Sequence, residues 1–254
     1  MKWKGWNINK AITIGNDHLI AKTNKQDFCS AVEADTSLVG VICDGCSSGK
    51  HSEVGATLIG TYLMNALTTT RDIDSLSENT IKHQLGFGLT SFIRQLCFNL
   101  GLDEKLQASF IEQCMTATFL FCVITDKYVY IGQSGDGVFI INGEKNIIDQ
   151  DDAPEYIAYC ALPNATKSFL DYITVTKFDV EDITDILIAS DGLLFLSEEK
   201  YLDLYGTEKR QLQRKFNVWQ NKRQEVFNDD VSLIVFEKEA EIGETNVDES
   251  EIQK

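Results

Sequence analysis

Cys114-Met115-Thr116-Ala117-Thr118-Phe119-Leu120-Phe121-Cys122-Val123-Ile124-Thr125 and Lys127-Tyr128-Val129-Tyr130-Ile131-Gly132-Gln133 are two β-rich runs around a tight Asp126-Lys127 connection. Gly137-Val138-Phe139-Ile140-Ile141 follows and leads into Asn142-Gly143. Asn-Gly after an apolar run is a strong hairpin signal, because both residues tolerate positive φ. The segment predicts an antiparallel meander. Strands that follow one another without intervening helices argue against alternating βαβ units.

Upstream, Ile8 to Ile20 and Phe28 to Ile42 carry short apolar stretches broken by Gly, Asn and Asp, as expected of strands joined by turns. Ser52 has the character of an N-cap with Glu53 in the first turn, and Val54, Leu58, Ile59, Tyr62, Leu63 and Leu67 recur at helical spacing. A second helix is predicted from Glu78 to Leu100, its buried stripe running through Ile81, Leu85, Leu89, Phe92, Ile93, Leu96 and Leu100. Downstream, Ile173 to Phe178 and Asp185 to Ser190 read as strands. Glu198 to Phe227 reads as helical with a basic exposed face, and Val231 to Phe236 as a closing strand. Helices and strands are segregated, which predicts an α+β class with sheets packed on each other and helices outside.

The 254 residues can bury one sizeable core, and no Pro/Gly/Ser-rich linker divides them, so one domain over 1–238 is expected. Residues 239–254 form an acidic end without apolar periodicity, expected to be disordered. A formal charge of -16 excludes broad contact with a phosphate backbone, so nucleic acid is not expected as a partner. No apolar stretch is long enough to span a bilayer and Met1-Lys2-Trp3-Lys4-Gly5-Trp6 is no signal core, so the expected location is cytoplasmic, with no membrane partner. Seven cysteines, an odd number scattered through apolar segments, do not describe a disulfide framework. Cys43 and Cys46 lack the second ligand pair that zinc would need.

Three aspartates each stand at one end of an apolar run: Val39-Gly40-Val41-Ile42-Cys43-Asp44-Gly45, Asp185-Ile186-Leu187-Ile188-Ala189-Ser190-Asp191-Gly192, and Asn228-Asp229-Asp230 before Val231-Ser232-Leu233-Ile234-Val235-Phe236. An acid beside a buried strand, twice followed by Gly, sits at the strand mouth where the backbone turns. Converging carboxylates repel strongly away from bulk water and need a cation to neutralise them. Oxygen ligands without a His or Cys set suit Mg2+ or Mn2+. Two such ions close together lower the pKa of a bridging water and hold a phosphoryl oxygen for in-line attack, which points to phosphate ester hydrolysis.

The chain resembles the metal-dependent Ser/Thr protein phosphatases of the 2C type, in their compact bacterial branch. The likeness lies in Asn24-Lys25-Gln26-Asp27-Phe28, Cys43-Asp44-Gly45-Cys46, Thr116-Ala117-Thr118, Gly132-Gln133-Ser134-Gly135-Asp136-Gly137, Ser190-Asp191-Gly192 and Asp229-Asp230-Val231-Ser232, which occur in the family order. The resemblance implies two antiparallel sheets sandwiched between helix pairs. It implies that Asp44 bridges two metals with help from the Gly45 carbonyl, that Asp191 and Asp229 hold the second ion, and that Asp27 contributes directly or through water. Asp136, with Asp191, matches the position that binds a third ion, although a tight loop explains Gly135-Asp136-Gly137 almost as well. The implied activity is hydrolysis of phosphoserine and phosphothreonine in a phosphoprotein by a metal-bridging hydroxide. A monomer with a Ser/Thr kinase as its counterpart is the expected setting.

Three positions depart from that pattern. Gln26 stands where many members have Glu, which removes a negative charge. Lys22 stands where an Arg often anchors substrate phosphate, and lysine offers only a point charge without the bidentate fork. Cys46 stands where some members have a His proposed as general acid. These departures motivate a second expectation, a catalytically weak pseudophosphatase or phosphoprotein-binding scaffold. A phosphatase for small phosphoesters is a third. His51, a lone histidine in a polar loop, reads as a surface residue.

Overall fold

The run Ala117–Ile124 is buried along its whole length, and its side chains divide between two cores with a period of two. Ala117, Phe119, Phe121 and Val123 face one apolar cluster, and Leu120, Cys122 and Ile124 face another. Such a strand must lie at the centre of a sheet covered on both sides. The computed structural model describes residues 5–150, 154–207, 211–222 and 227–239, and places this strand in that position.

Among the described residues one sheet contains β1 (Trp6–Thr13), β10 (Val231–Lys238), β9 (Asp185–Ala189), β6 (Gly137–Ile141) and β7 (Glu144–Ile148), in that spatial order. The other contains β2 (Phe28–Glu33), β3 (Leu38–Gly45), β4 (Ala117–Ile124), β5 (Tyr128–Ser134) and β8 (Thr174–Asp179). Every pairing is antiparallel. Ile42, Leu120, Ile186, Ile188, Ile234 and Phe236 fill the space between the sheets. Gly40 is required there, because a Cβ at that position would lie 2.6 Å from the Phe236 ring.

The outer face of the second sheet carries α2 (Ser52–Thr69) and α3 (Glu78–Asn99). Ile59, Leu63 and Leu67 of α2, with Ile81, Leu85, Leu89 and Ile93 of α3, recur every four residues and bury one stripe of each helix. The first sheet is covered by α6 (Gln211–Lys222), which turns Leu212, Phe216 and Trp219 onto Leu187, Leu233 and Val235. Short helices α1 (Asn16–Ala21), α4 (Glu104–Phe110) and α5 (Glu198–Tyr201) complete the set. This is the expected α+β sandwich of two antiparallel sheets flanked by helices. No helix among the described residues is long and apolar enough to cross a membrane.

Several local expectations are corrected. The predicted meander is two hairpins in different sheets. Gly135 (φ +77) and Gly137 (φ +155) bend the chain out of β5 into the opposite layer, and Asn142 (φ 51) with Gly143 (φ 79) then closes the β6–β7 hairpin. Residues 16–21, expected within a strand region, are the helix α1. Its first N–H groups are taken by the carbonyls of Phe227 and Asn228, a tertiary contact that no local pattern announces. The helix expected over Glu198 to Phe227 is interrupted, with Gly206 (φ +62) between α5 and α6. His51 occupies the N-cap position of α2, and Ser52 is its buried first residue. Val54 and Leu100, expected in helix stripes, are exposed. The α4 helix was not anticipated; Asp103 caps it by accepting from Leu106 N at 2.9 Å. Residues 240–254 of the acidic end lie outside the described residues.

Candidate metal centre

Antiparallel pairing decides where the acids meet. β9 runs to Ala189 where β10 has just begun, Leu233 standing opposite Ala189, so Asp191 and Asp229 emerge at the same end of the first sheet. β3 packs across β10 and reaches its last residues, Asp44 and Gly45, at that end too. Asp136 comes from the turn between β5 and β6, which crosses from one sheet to the other beside them. The four aspartates line one cleft of about 400 Å³, together with Gly45 and Thr118. Cys46, Ser47, Ser48, Pro154 and Tyr156 complete its lining.

Asp27 lies behind this group as a buried residue at the entry to β2. Its Oδ2 accepts from Ser190 Oγ at 3.0 Å. Burial pushes the Asp27 carboxyl up to about 7, with Asp230 adding to the rise. Asp44 is held well above the usual carboxylate range by burial first, then by the nearby charges of Asp27 and Asp191. Asp229 is raised by burial and by Asp191. Carboxylates placed this way cannot all ionise unless positive charge arrives.

The donor set fits a hard divalent cation. Asp27 Oδ1 and Asp191 Oδ1 are buried and accept no hydrogen bond from the protein, which is costly for anionic oxygens unless another ligand engages them. Oxygen donors from separate segments, without a thiolate among them, are the chemistry of Mg2+ or Mn2+. His18 Nδ1, Asp229 and Asp230 also present ligand atoms within 4.8 Å of one another and form one candidate cation cluster.

A family model described as protein phosphatase 2C matches residues 14–229. The chain belongs to this family. Solved structures of the same fold include the serine/threonine phosphatase Stp1 from Staphylococcus aureus, at 14% identity and a TM-score of 0.61, covering 92% of this chain and 95% of that one. The S. agalactiae serine/threonine phosphatase is similar at 16% identity and a TM-score of 0.61, covering 92% and 100%. The catalytic domain of the serine threonine protein phosphatase PstP, solved with 2 manganese ions, follows at 14% identity and a TM-score of 0.59, covering 92% and 99%. A sequence search of curated proteins finds no match.

This 2C-type phosphatase contains two site features that sequence reasoning missed, Asp230 and His18. Asp230 is buried, with Oδ1 accepting from Gly15 N at 2.7 Å and Oδ2 from Gln26 N at 2.5 Å, while His18 Nδ1 stands 2.9 Å from Oδ1. Of the adjacent pair, Asp229 lines the cleft and Asp230 clamps the backbone behind it. Burial works against charge on His18, but Asp230, Asp229 and Asp27 outweigh it and raise its pKa. The Asp-Asp dipeptide was visible in the sequence; nothing local marked His18 as its partner.

Lys22 is exposed and caps α1 in the left-handed conformation at φ 57; it is not among the residues lining the cleft. Cys43 is buried in the core under α2, where burial pushes its thiol well up, whereas Cys46 lines the cleft. His51 is exposed beside Glu53 at 3.6 Å, the surface position expected.

Proposed function

We propose that this phosphatase holds two ions, Mn2+ or Mg2+, on Asp44, Asp191 and Asp229, with the Gly45 carbonyl and Asp27 assisting and a third position at Asp136 and Asp191. One observation carries the reading: acids from four separate segments line a single cleft, and Asp191 among them keeps a buried oxygen that no protein donor satisfies. The two manganese ions in the PstP catalytic domain support the same stoichiometry for this relative of low identity.

When bound, the cations supply an activated water near neutral pH and countercharge for a phosphoryl group. The chain supplies the rest. Asp44 feels the charges of Asp27, Asp191 and Asp229, so it would be a principal carboxylate for holding the ions. Asp27, held by Ser190, would support Asp44 as its buried carboxyl neighbour. The cleft of about 400 Å³ would take the side chain of a phosphoserine or phosphothreonine. We infer a phosphoprotein substrate, a Ser/Thr kinase as counterpart, a monomeric state, a cytoplasmic setting and a single catalytic domain over 1–238.

The test is hydrolysis of p-nitrophenyl phosphate and of a phosphothreonine peptide with Mn2+, abolished by EDTA and by Asp44→Asn. Full activity in that variant would refute the assignment. None of the described residues lining the cleft is Lys or Arg, which favours one second reading, a phosphoprotein-binding protein of weak turnover. Calorimetry that detects phosphopeptide binding without Mn2+ binding selects it.

A further inference from the structure

The cleft is lined by two kinds of group. Asp44, Asp136, Asp191 and Asp229 are its acids. Cys46, Ser48 and Tyr156 line it beside them, with Cys46 Sγ 3.1 Å from Ser48 Oγ. A phosphomonoester dianion has more oxygen lone pairs than cations held by the acids can engage, and the rest need hydrogen-bond donors. Lys22 is not in the lining, whose side-chain donors include hydroxyls and a thiol.

We propose that Cys46, Ser48 and Tyr156 form the substrate-phosphate subsite of this chain. Ser48 Oγ and Cys46 Sγ are the groups that touch phosphoryl oxygens, and Tyr156, which lines the same cleft, is a positioning residue for them. Three features support the roles. Ser48 is an exposed member of the cleft lining, so its hydroxyl is accessible to an incoming phosphate. Tyr156 is 6% exposed and its ring packs edge-on against Tyr159, with centroids 5.6 Å apart, so its hydroxyl is fixed. Burial also raises the phenol pKa, so the hydroxyl keeps its proton. Neutral donors recognise the dianion without competing with the cations for the carboxylates.

The inference rests on the phosphatase reading, and the test separates the two. Steady-state kinetics on the full, Mn2+-loaded chain are expected to show Ser48→Ala and Tyr156→Phe raising KM for p-nitrophenyl phosphate about 5- to 10-fold, the loss of roughly one hydrogen bond. The inhibition constant of inorganic phosphate should rise in parallel, with kcat within about two-fold and Mn2+ affinity by calorimetry unchanged. Ser48→Thr and Cys46→Ser, which keep a donor, should restore KM, whereas Cys46→Val should not. Unchanged KM and phosphate inhibition in Ser48→Ala and Tyr156→Phe overturn the subsite, as does a loss that tracks Mn2+ affinity. If the wild-type chain turns over nothing with Mn2+, calorimetry with inorganic phosphate still decides: weakened binding in the variants upholds the subsite while refuting catalysis, and unaltered binding refutes the subsite.

Discussion

Ser190 Oγ donates a 3.0 Å hydrogen bond to Asp27 Oδ2 while accepting another, also 3.0 Å, from Ser232 N. Ser190 follows β9 in one sheet and Asp27 precedes β2 in the other, so this hydroxyl ties the two layers together where the acids gather. Ser190→Ala leaves a buried N–H and a buried carboxyl oxygen without partners. It should cost about 1–3 kcal/mol of stability in urea melts. Mn2+ affinity at neutral pH should fall as well, because a bond that favours ionised Asp27 is gone.

Metal-free protein should lose stability as pH rises. Folded Asp27 keeps its proton to about pH 7, whereas its ordinary value is 3.8. The contribution is therefore fully present below pH 3.8, where both states are protonated. It drains away up to about pH 7, as the unfolded chain ionises first. The groups bearing on Asp27 are Asp44, Asp230, Ser190 and Ser232. The loss is on the order of a few kcal/mol. Melting in EDTA from pH 4 to 8 should show falling stability, and Mn2+ should reverse the slope, since it binds the deprotonated carboxylates.

Asp44→Asn should separate stability from function. Removing one charge from a crowded set relieves repulsion by Asp27 and Asp191. The variant should melt higher than wild type in EDTA at pH 8, yet gain little from Mn2+ and hydrolyse no p-nitrophenyl phosphate.

Adjacent Asp229 and Asp230 should behave oppositely. Asp229→Asn is expected to fold normally and to lose Mn2+ binding in calorimetry. Asp230→Ala orphans the N–H groups of Gly15 and Gln26 and the His18 ring. It should cost about 3–5 kcal/mol, read as a lower urea midpoint.

Gly132→Ala tests how tightly the second sheet meets its neighbours. An added Cβ would lie 2.0 Å from the Phe121 ring, whereas at Gly101 it would meet nothing within 4 Å. Gly132→Ala should destabilise by about 1–3 kcal/mol through overpacking. At Gly101 (φ +68) the same change meets only the backbone cost of a left-handed residue, about 1–2 kcal/mol.

Periodicity carried the layers. The alternation in Ala117–Ile124 and the four-residue stripes of α2 and α3 are consequences of burial on defined faces, and each can be read without knowing what lies opposite. Element limits that depend on distant partners were not legible. The α1 helix is held by carbonyls from residues 227 and 228, and the meander was broken by glycines whose φ values are set by the crossing between sheets. The acids were legible as strand-end residues. That Asp230 clamps the backbone behind Asp229, and that Lys22 stays off the cleft, were not.

By itself, the amino-acid order determined the class of fold and the carboxylate character of the candidate metal centre, because hydrophobic period and carboxylate type are local properties of the chain. Only the tertiary structure decided which acids share a cleft, which oxygens remain unsatisfied and which neutral groups face them. Those are distances between segments far apart along the chain, and antiparallel register and sheet packing set them.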